Sequence, residues 1–334
     1  MKALAIHGKE DIRWEDREVP VPGAGEVRLR VNYVGICGSD LHYYFHGANG
    51  EYTIREPLTP GHELSGVVDL DPSGHLAPGT PVTVHPARYG PEVPGLEDRP
   101  HLRPGGDYFG SAAANPHRQG GASEFLLVEE RMIRVLPESL PLERAALAEP
   151  LAVAIHAVNL AQGVADKRVL VIGAGPVGLL VVAAAKHAGA AVIGASDVRE
   201  EPLARAKALG ATDVALVGRD AIDDESYDVV FECSGVAVAL TQAVRAARRA
   251  GTVVQVGMLP NAEIGVNLAP MLAKELTIRG AFRFSTEIDD AVRMLASSDA
   301  LDSVISHVLP AADAVAAFEL ARDSSASAKV LLAL

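Results

Sequence analysis

Hydrophobic positions change rhythm near the middle of this 334-residue chain. Up to about Val135 they come in short runs at residues 3–6, 26–34, 64–70, 81–85 and 122–128, separated by Pro and Gly. That punctuation predicts a β-rich domain of short strands. From Leu142 the texture turns alanine-rich, and a helix is expected over 145–162. Strand-like runs then alternate with helical ones: strands at 169–172, 191–196, 213–217, 227–232, 252–256 and 276–282, with helices from Pro176 and over 201–209 and 237–250. Six strands separated by helices predict an α/β doubly wound parallel sheet. From Glu287 onward come two helical segments and a last strand, 329–332.

The stretch from Arg168 to Asp197 organises the second half. A β-branched strand leads into Gly173, Gly175 and Gly178, with Pro176 and Val177 opening the helix. Gly173 permits the tight turn, Gly175 admits a pyrophosphate to the backbone, and Gly178 lets the helix pack closely on its strand. The diphosphate would rest on the free amides of the helix N-terminus. Asp197 follows Gly175 by 22 residues, the distance expected of the acid that binds the adenosine ribose. Such an acid repels a 2′-phosphate and favours NAD over NADP. Arg199, two residues on, either faces a phosphate or simply opens the next helix on a solvated face.

Charge and cysteine content narrow the partners. With 43 acidic residues against 30 basic ones, a net charge of −13 argues against nucleic acid or an anionic membrane as main partner. Two cysteines, Cys37 and Cys233, argue against a disulfide framework and fit a reducing compartment. The opening residues reach charge too early for a secretory signal, and the longest uncharged run, 169–185, spans 17 residues interrupted by Gly and Pro. A cytoplasmic protein is expected.

Candidate metal chemistry sits in the first half. ICGSDLHYY places Cys37 in a glycine-flanked turn beside Ser39, Asp40 and His42, and PGHE follows with His62 and Glu63. Thiolate, imidazole and carboxylate are the ligands zinc takes, and a catalytic site leaves one position open. Singly, such a cysteine also reads as buried packing and such a His-Glu pair as a solvated loop. AEPLAVAIHA then sets Glu149 in an apolar segment, where a carboxylate is costly unless paired or metal-bound. A helix-capping acid is the other reading of Glu149.

Read together, CGSD, GHE, AEPLAVAIHA and GAGPVG, in this order, resemble the zinc-dependent medium-chain dehydrogenases over almost the whole chain. FGSA at 109–112, Gly120-Gly121 and RGAFRF at 279–284 add a likeness to the sorbitol and L-idonate 5-dehydrogenase branch, greatest to the idonate enzymes. The resemblance implies a GroES-like catalytic domain over 1–148, completed by 285–334, and a Rossmann domain over 149–284. It also implies one catalytic zinc on Cys37 and His62. Glu149 occupies the third ligand position, and Glu63 is either a ligand or an acid exchanging with the bound water. Ser39 matches the hydroxyl that relays the substrate proton. Many relatives carry four closely spaced cysteines for a second zinc where residues 88–106 here have none, so no structural zinc is expected.

By the same resemblance Tyr43, Phe109, Arg283 and Phe284 line the substrate pocket. A guanidinium suits a planar carboxylate, which points to a sugar acid, L-idonate, oxidised to 5-ketogluconate with NAD. An interdomain salt bridge is the competing role for Arg283. A sorbitol- or xylitol-type polyol dehydrogenase, and outside enzymes a non-catalytic nucleotide-binding protein, remain the alternatives. The apolar last strand of the parallel sheet suggests pairing in a homodimer or homotetramer.

Overall fold

The computed structural model describes residues 1–334, which form two large sheets and three two-stranded ones. The first runs, in spatial order, Ile133–Val135, Pro81–Val84, Glu63–Leu70, Glu26–Gly35, Lys329–Ala333 and Ile305–Pro310, with Phe125–Glu129 also pairing Glu26–Gly35. The last strand of the chain thus lies antiparallel on one of the first, Leu331 opposite Gly35. On the other side of that strand Gly35 faces Glu63. A Cβ on Gly35 would come 2.1 Å from Glu63 Oε2, so this glycine leaves the room in which the carboxylate sits.

The second sheet is wholly parallel, in the order Asp213–Leu216, Val192–Asp197, Arg168–Ile172, Tyr227–Glu232, Ala247–Gln255, Thr277–Gly280. Its six strands form the expected doubly wound sheet, with the order reversing beside Arg168–Ile172, where such sheets bind ligands. Between the sheets runs the helix Ala148–Leu160, buried on nearly every side because its residues are apolar nearly all round. It packs on Pro176–His187 and Ile288–Ser297 and so carries Glu149 into the junction.

Several elements differ from the sequence expectation. The helix over 145–162 is broken into Leu142–Ala145 and Ala148–Leu160, with Pro150 in the first turn of the second, where its missing amide costs little. The helix expected to reach residue 250 stops at Ala246, and a strand begins at Ala247. Lys274, 4% exposed, donates to the carbonyls of Val244, Arg245 and Ala247 and so satisfies that helix end from a distance. Strands Asp11–Asp16 and Ile305–Pro310 were not apparent from the pattern, the first pairing with Lys2–Gly8 and the second with Lys329–Ala333. No helix is long and apolar enough to cross a membrane.

Candidate active site

Cys37 follows the strand Glu26–Gly35 by two residues and caps the N-terminus of a helix, Gly38–His46, in the stretch expected to be a turn. Asp40 explains the helix and more. One carboxylate oxygen accepts from the Cys37 amide at 2.9 Å, the other from the Gly61 amide at 3.1 Å. A single buried acid therefore fastens the Cys37 loop to the His62 loop. Ser39 lies in the first turn of the same helix, half-buried.

The result is a group of one thiol, one imidazole and one carboxylate: ligand atoms of Cys37, His62 and Glu63 lie within 4.8 Å of one another. His62 Nδ1 is buried without a hydrogen-bond partner. Burial would lower the His62 pKa, but Cys37, by charge and hydrogen bond, together with Asp40 and Glu149 outweighs it and raises the pKa to about 10. The surroundings of this ring are set up for a cation, and soft and borderline donors in this combination fit zinc.

Glu63 is shared. Lys329 Nζ, on the last strand, stands 2.7 Å from Oε1 and 2.6 Å from Oε2, and it also donates to the Ile36 carbonyl at 3.2 Å. Lys329 and Glu63 are 2% and 1% exposed. A buried carboxylate with a fixed ammonium on one side can turn to a metal on the other only in competition with that ammonium.

Glu149 lies outside the three-residue group, buried, and accepts from the Tyr108 hydroxyl at 2.5 Å. Burial and the charge of Glu149 raise the Tyr108 pKa well above the ordinary value, so this hydroxyl is a permanent donor. The Tyr108 ring also stands edge-on to His62, with centroids 5.4 Å apart, and carries the Arg283 guanidinium 4.1 Å above its centroid. Tyr108 joins the metal-ligand cluster to Arg283. The sequence reading missed it, although it directly precedes Phe109.

Arg283 enters no hydrogen bond or ion pair, so the competing salt-bridge role is absent. It stacks between Tyr108 and Phe282, 4.8 Å from the latter, on a left-handed backbone with φ 52°. A non-glycine residue held there is uncommon. Phe109 and Phe284 are each 1% exposed. Phe109 packs with Val82 and Val84 under the Arg118 guanidinium, and Phe284 packs against His85 in the larger core. Tyr43, also 1% exposed, accepts a hydrogen bond from the Ala112 amide through its hydroxyl at 3.0 Å.

The nucleotide loop follows the sequence reading closely. Gly173 has φ +89°, Gly175 caps the helix Pro176–His187 with open space where a Cβ would stand, and a Cβ on Gly178 would meet the Gly173 carbonyl at 1.9 Å. Asp197 ends its strand beside this loop, accepting from the Ala174 amide at 2.8 Å and the Arg199 amide at 3.1 Å. Pro176 and Val177 form the first turn of the helix. This cradle fits a dinucleotide.

Comparison with known proteins agrees with both halves. Residues 23–138 match the alcohol dehydrogenase GroES-like domain and residues 176–297 the zinc-binding dehydrogenase family. Sorbitol dehydrogenase from Bos taurus is 33% identical over 96% of this chain and 92% of its own length, and that from Gallus gallus 34% identical over 95% and 92%. The crystal structure of L-idonate 5-dehydrogenase from Escherichia coli superposes with a TM-score of 0.94 at 32% identity, covering 100% of this chain and 98% of that one. The 2R,3R-butanediol dehydrogenase from Bacillus subtilis gives 0.88 at 29%, covering 100% and 99%. Shared domains, near-complete coverage and the convergence of Cys37, His62 and Glu63 lead to one conclusion: this chain belongs to the zinc-dependent medium-chain dehydrogenase/reductase superfamily and is an NAD(P)-linked alcohol or polyol dehydrogenase.

Proposed function

We propose that the protein oxidises L-idonate to 5-ketogluconate, passing the hydride to NAD. The observation that carries this reading is Arg283, a guanidinium without an ion-pair partner, stacked on Tyr108, whose ring stands edge-on to His62 of the metal-ligand cluster. A polyol offers such a group only hydroxyls, whereas a sugar acid offers the carboxylate its fork is shaped to hold. The fold likeness to the Escherichia coli idonate enzyme, with a TM-score of 0.94, is compatible with this choice; identity does not separate it from the sorbitol dehydrogenases, at 32% against 33–34%.

Cys37 and His62 are the proposed zinc ligands, with Glu149 as the third and Glu63 either a ligand or an exchanging acid. Zinc held there would supply the Lewis acidity for proton loss from an alcohol near neutral pH, and a bound nicotinamide would supply the hydride acceptor. The chain's own residues do the rest. Ser39, at the start of its helix, relays the proton outward. Tyr108 holds Glu149 in one orientation, and Arg283 anchors the carboxylate so that the reacting carbon is fixed relative to the cofactor. Asp197 takes the ribose hydroxyls of NAD and repels a 2′-phosphate. A cytoplasmic homodimer or homotetramer is the proposed setting.

The test is NADH formation with L-idonate, sorbitol and xylitol, by the zinc-loaded enzyme and after chelation. Idonate is expected to give the highest kcat/KM, and Arg283→Ala to lower it for idonate by about 10- to 100-fold while affecting sorbitol little. Sorbitol turnover equal to or better than idonate would overturn the sugar-acid reading in favour of the polyol one, which the sorbitol dehydrogenase relatives support.

A further inference from the structure

Selectivity between NAD and NADP is commonly read from the acid at the end of the second Rossmann strand alone, but here the cations around that acid are also controlled. The Arg199 amide donates to Asp197 at 3.1 Å, which keeps this residue beside the ribose acid. Its guanidinium, however, is turned to the other half of the molecule, where Nη1 lies 3.1 Å from Asp323 Oδ1. Asp323 belongs to the loop between the helix Ala314–Arg322 and the strand Lys329–Ala333 of the catalytic sheet. That carboxylate is fixed, accepting from the Ser325 amide at 2.9 Å and the Ser325 hydroxyl at 2.5 Å.

The other cation at this end of the sheet is engaged as well. The Val217 amide donates to the Asp197 carbonyl, so the turn after Asp213–Leu216 lies alongside. Arg219 in that turn pairs with Glu200 at 2.6 Å and Asp220 at 3.3 Å. A 2′-phosphate arriving at Asp197 would meet a carboxylate and two guanidinium groups already committed to acids. We propose that Asp323 is a specificity-determining residue for the dinucleotide: it withholds Arg199 from a 2′-phosphate, so that discrimination against NADP is built jointly by both domains. The inference rests on the NAD reading above. Asp323 acts through Arg199 and is a positioning residue.

The Arg199–Asp323 pair is solvent-exposed, 41% and 52% by side chain, so releasing Arg199 disturbs little else. The experiment is calorimetric titration of the zinc-loaded protein with 5′-AMP and with 2′,5′-ADP, which differ only in the 2′-phosphate. Wild type is expected to bind 5′-AMP more tightly. Asp323→Ala, and Asp323→Asn, which can keep its hydrogen bonds from Ser325, are expected to tighten 2′,5′-ADP by about three- to fivefold with 5′-AMP changed less than about twofold. Adding Arg199→Ala should abolish the gain. An unchanged ratio in both Asp323 variants, a gain that survives Arg199→Ala, or equal shifts for both ligands would overturn the proposal, the last marking Asp323 as merely structural. A wild type that prefers 2′,5′-ADP would instead overturn the NAD reading, and the premise of the proposal with it.

Discussion

Replacing Lys329 with methionine keeps the length of the side chain and removes the only ammonium in contact with the Glu63 carboxylate. Both groups are essentially sealed from water, at 2% and 1% exposure, with Nζ–O distances of 2.7 and 2.6 Å. Removing one member of a buried pair leaves the other uncompensated, at a cost of about 3–5 kcal/mol. Cys37, Asp40 and Glu149 surround the same pocket, and any negative charge they carry adds to the penalty, leaving His62 as the remaining cationic group. The metal-free Lys329→Met protein should therefore unfold about 3–5 kcal/mol more easily than metal-free wild type in urea at pH 7. Zinc brings positive charge to the same pocket, so loading it should narrow the gap and stabilise the variant more than wild type. The double variant Lys329→Met/Glu63→Gln, which strands no charge, should recover most of the loss. A metal-free Lys329→Met protein within about 1 kcal/mol of wild type would refute the reasoning, because a pair worth that little behaves like a solvated one.

Other perturbations read different parts of the site. Tyr108→Phe keeps the ring beneath Arg283 but removes the donor to Glu149; a loss of about 1–3 kcal/mol in urea unfolding is expected, and an unchanged midpoint would show that the hydrogen bond is not formed. Cys37→Ala should abolish zinc retention, measured by elemental analysis, together with turnover; normal zinc content would remove Cys37 from the ligand set. Glu287 is a pH probe: burial would raise its pKa, but His156 at 2.7 Å and the Ser285 amide outweigh it and hold the carboxyl near about 2 against an ordinary 4.5. A depressed carboxyl stabilises the fold fully above pH 4.5 and loses that contribution as pH falls toward 2, a difference of up to about 3 kcal/mol. Glu287→Gln should therefore be destabilised by that amount at pH 7, with the gap to wild type shrinking on acidification; a gap independent of pH would contradict the assignment.

Local chemistry was legible in the chain itself wherever a residue's role depends on its immediate neighbours. The glycines at 173, 175 and 178 meet steric demands of one turn, and the structure shows the left-handed φ, the open approach and the close packing that each was expected to serve. The six parallel strands were legible for a similar reason: strand runs between helices leave few ways to wind a sheet. Cys37, His62 and Glu63 could be nominated from ligand chemistry, but their approach to within 4.8 Å depends on Asp40 bridging two loops 21 residues apart. Lys329 reaches Glu63 only because the last strand pairs with one of the first, a contact across 266 residues that no local pattern encodes. The choice between Tyr108 and Phe109 was likewise decided by tertiary packing. Only a tyrosine can donate to a carboxylate, but that a buried carboxylate stands beside residue 108 and a hydrophobic core beside 109 is set by the surroundings. Steric and chemical constraints acting over a few bonds are written in the sequence, whereas burial and long-range pairing are properties of the assembled chain.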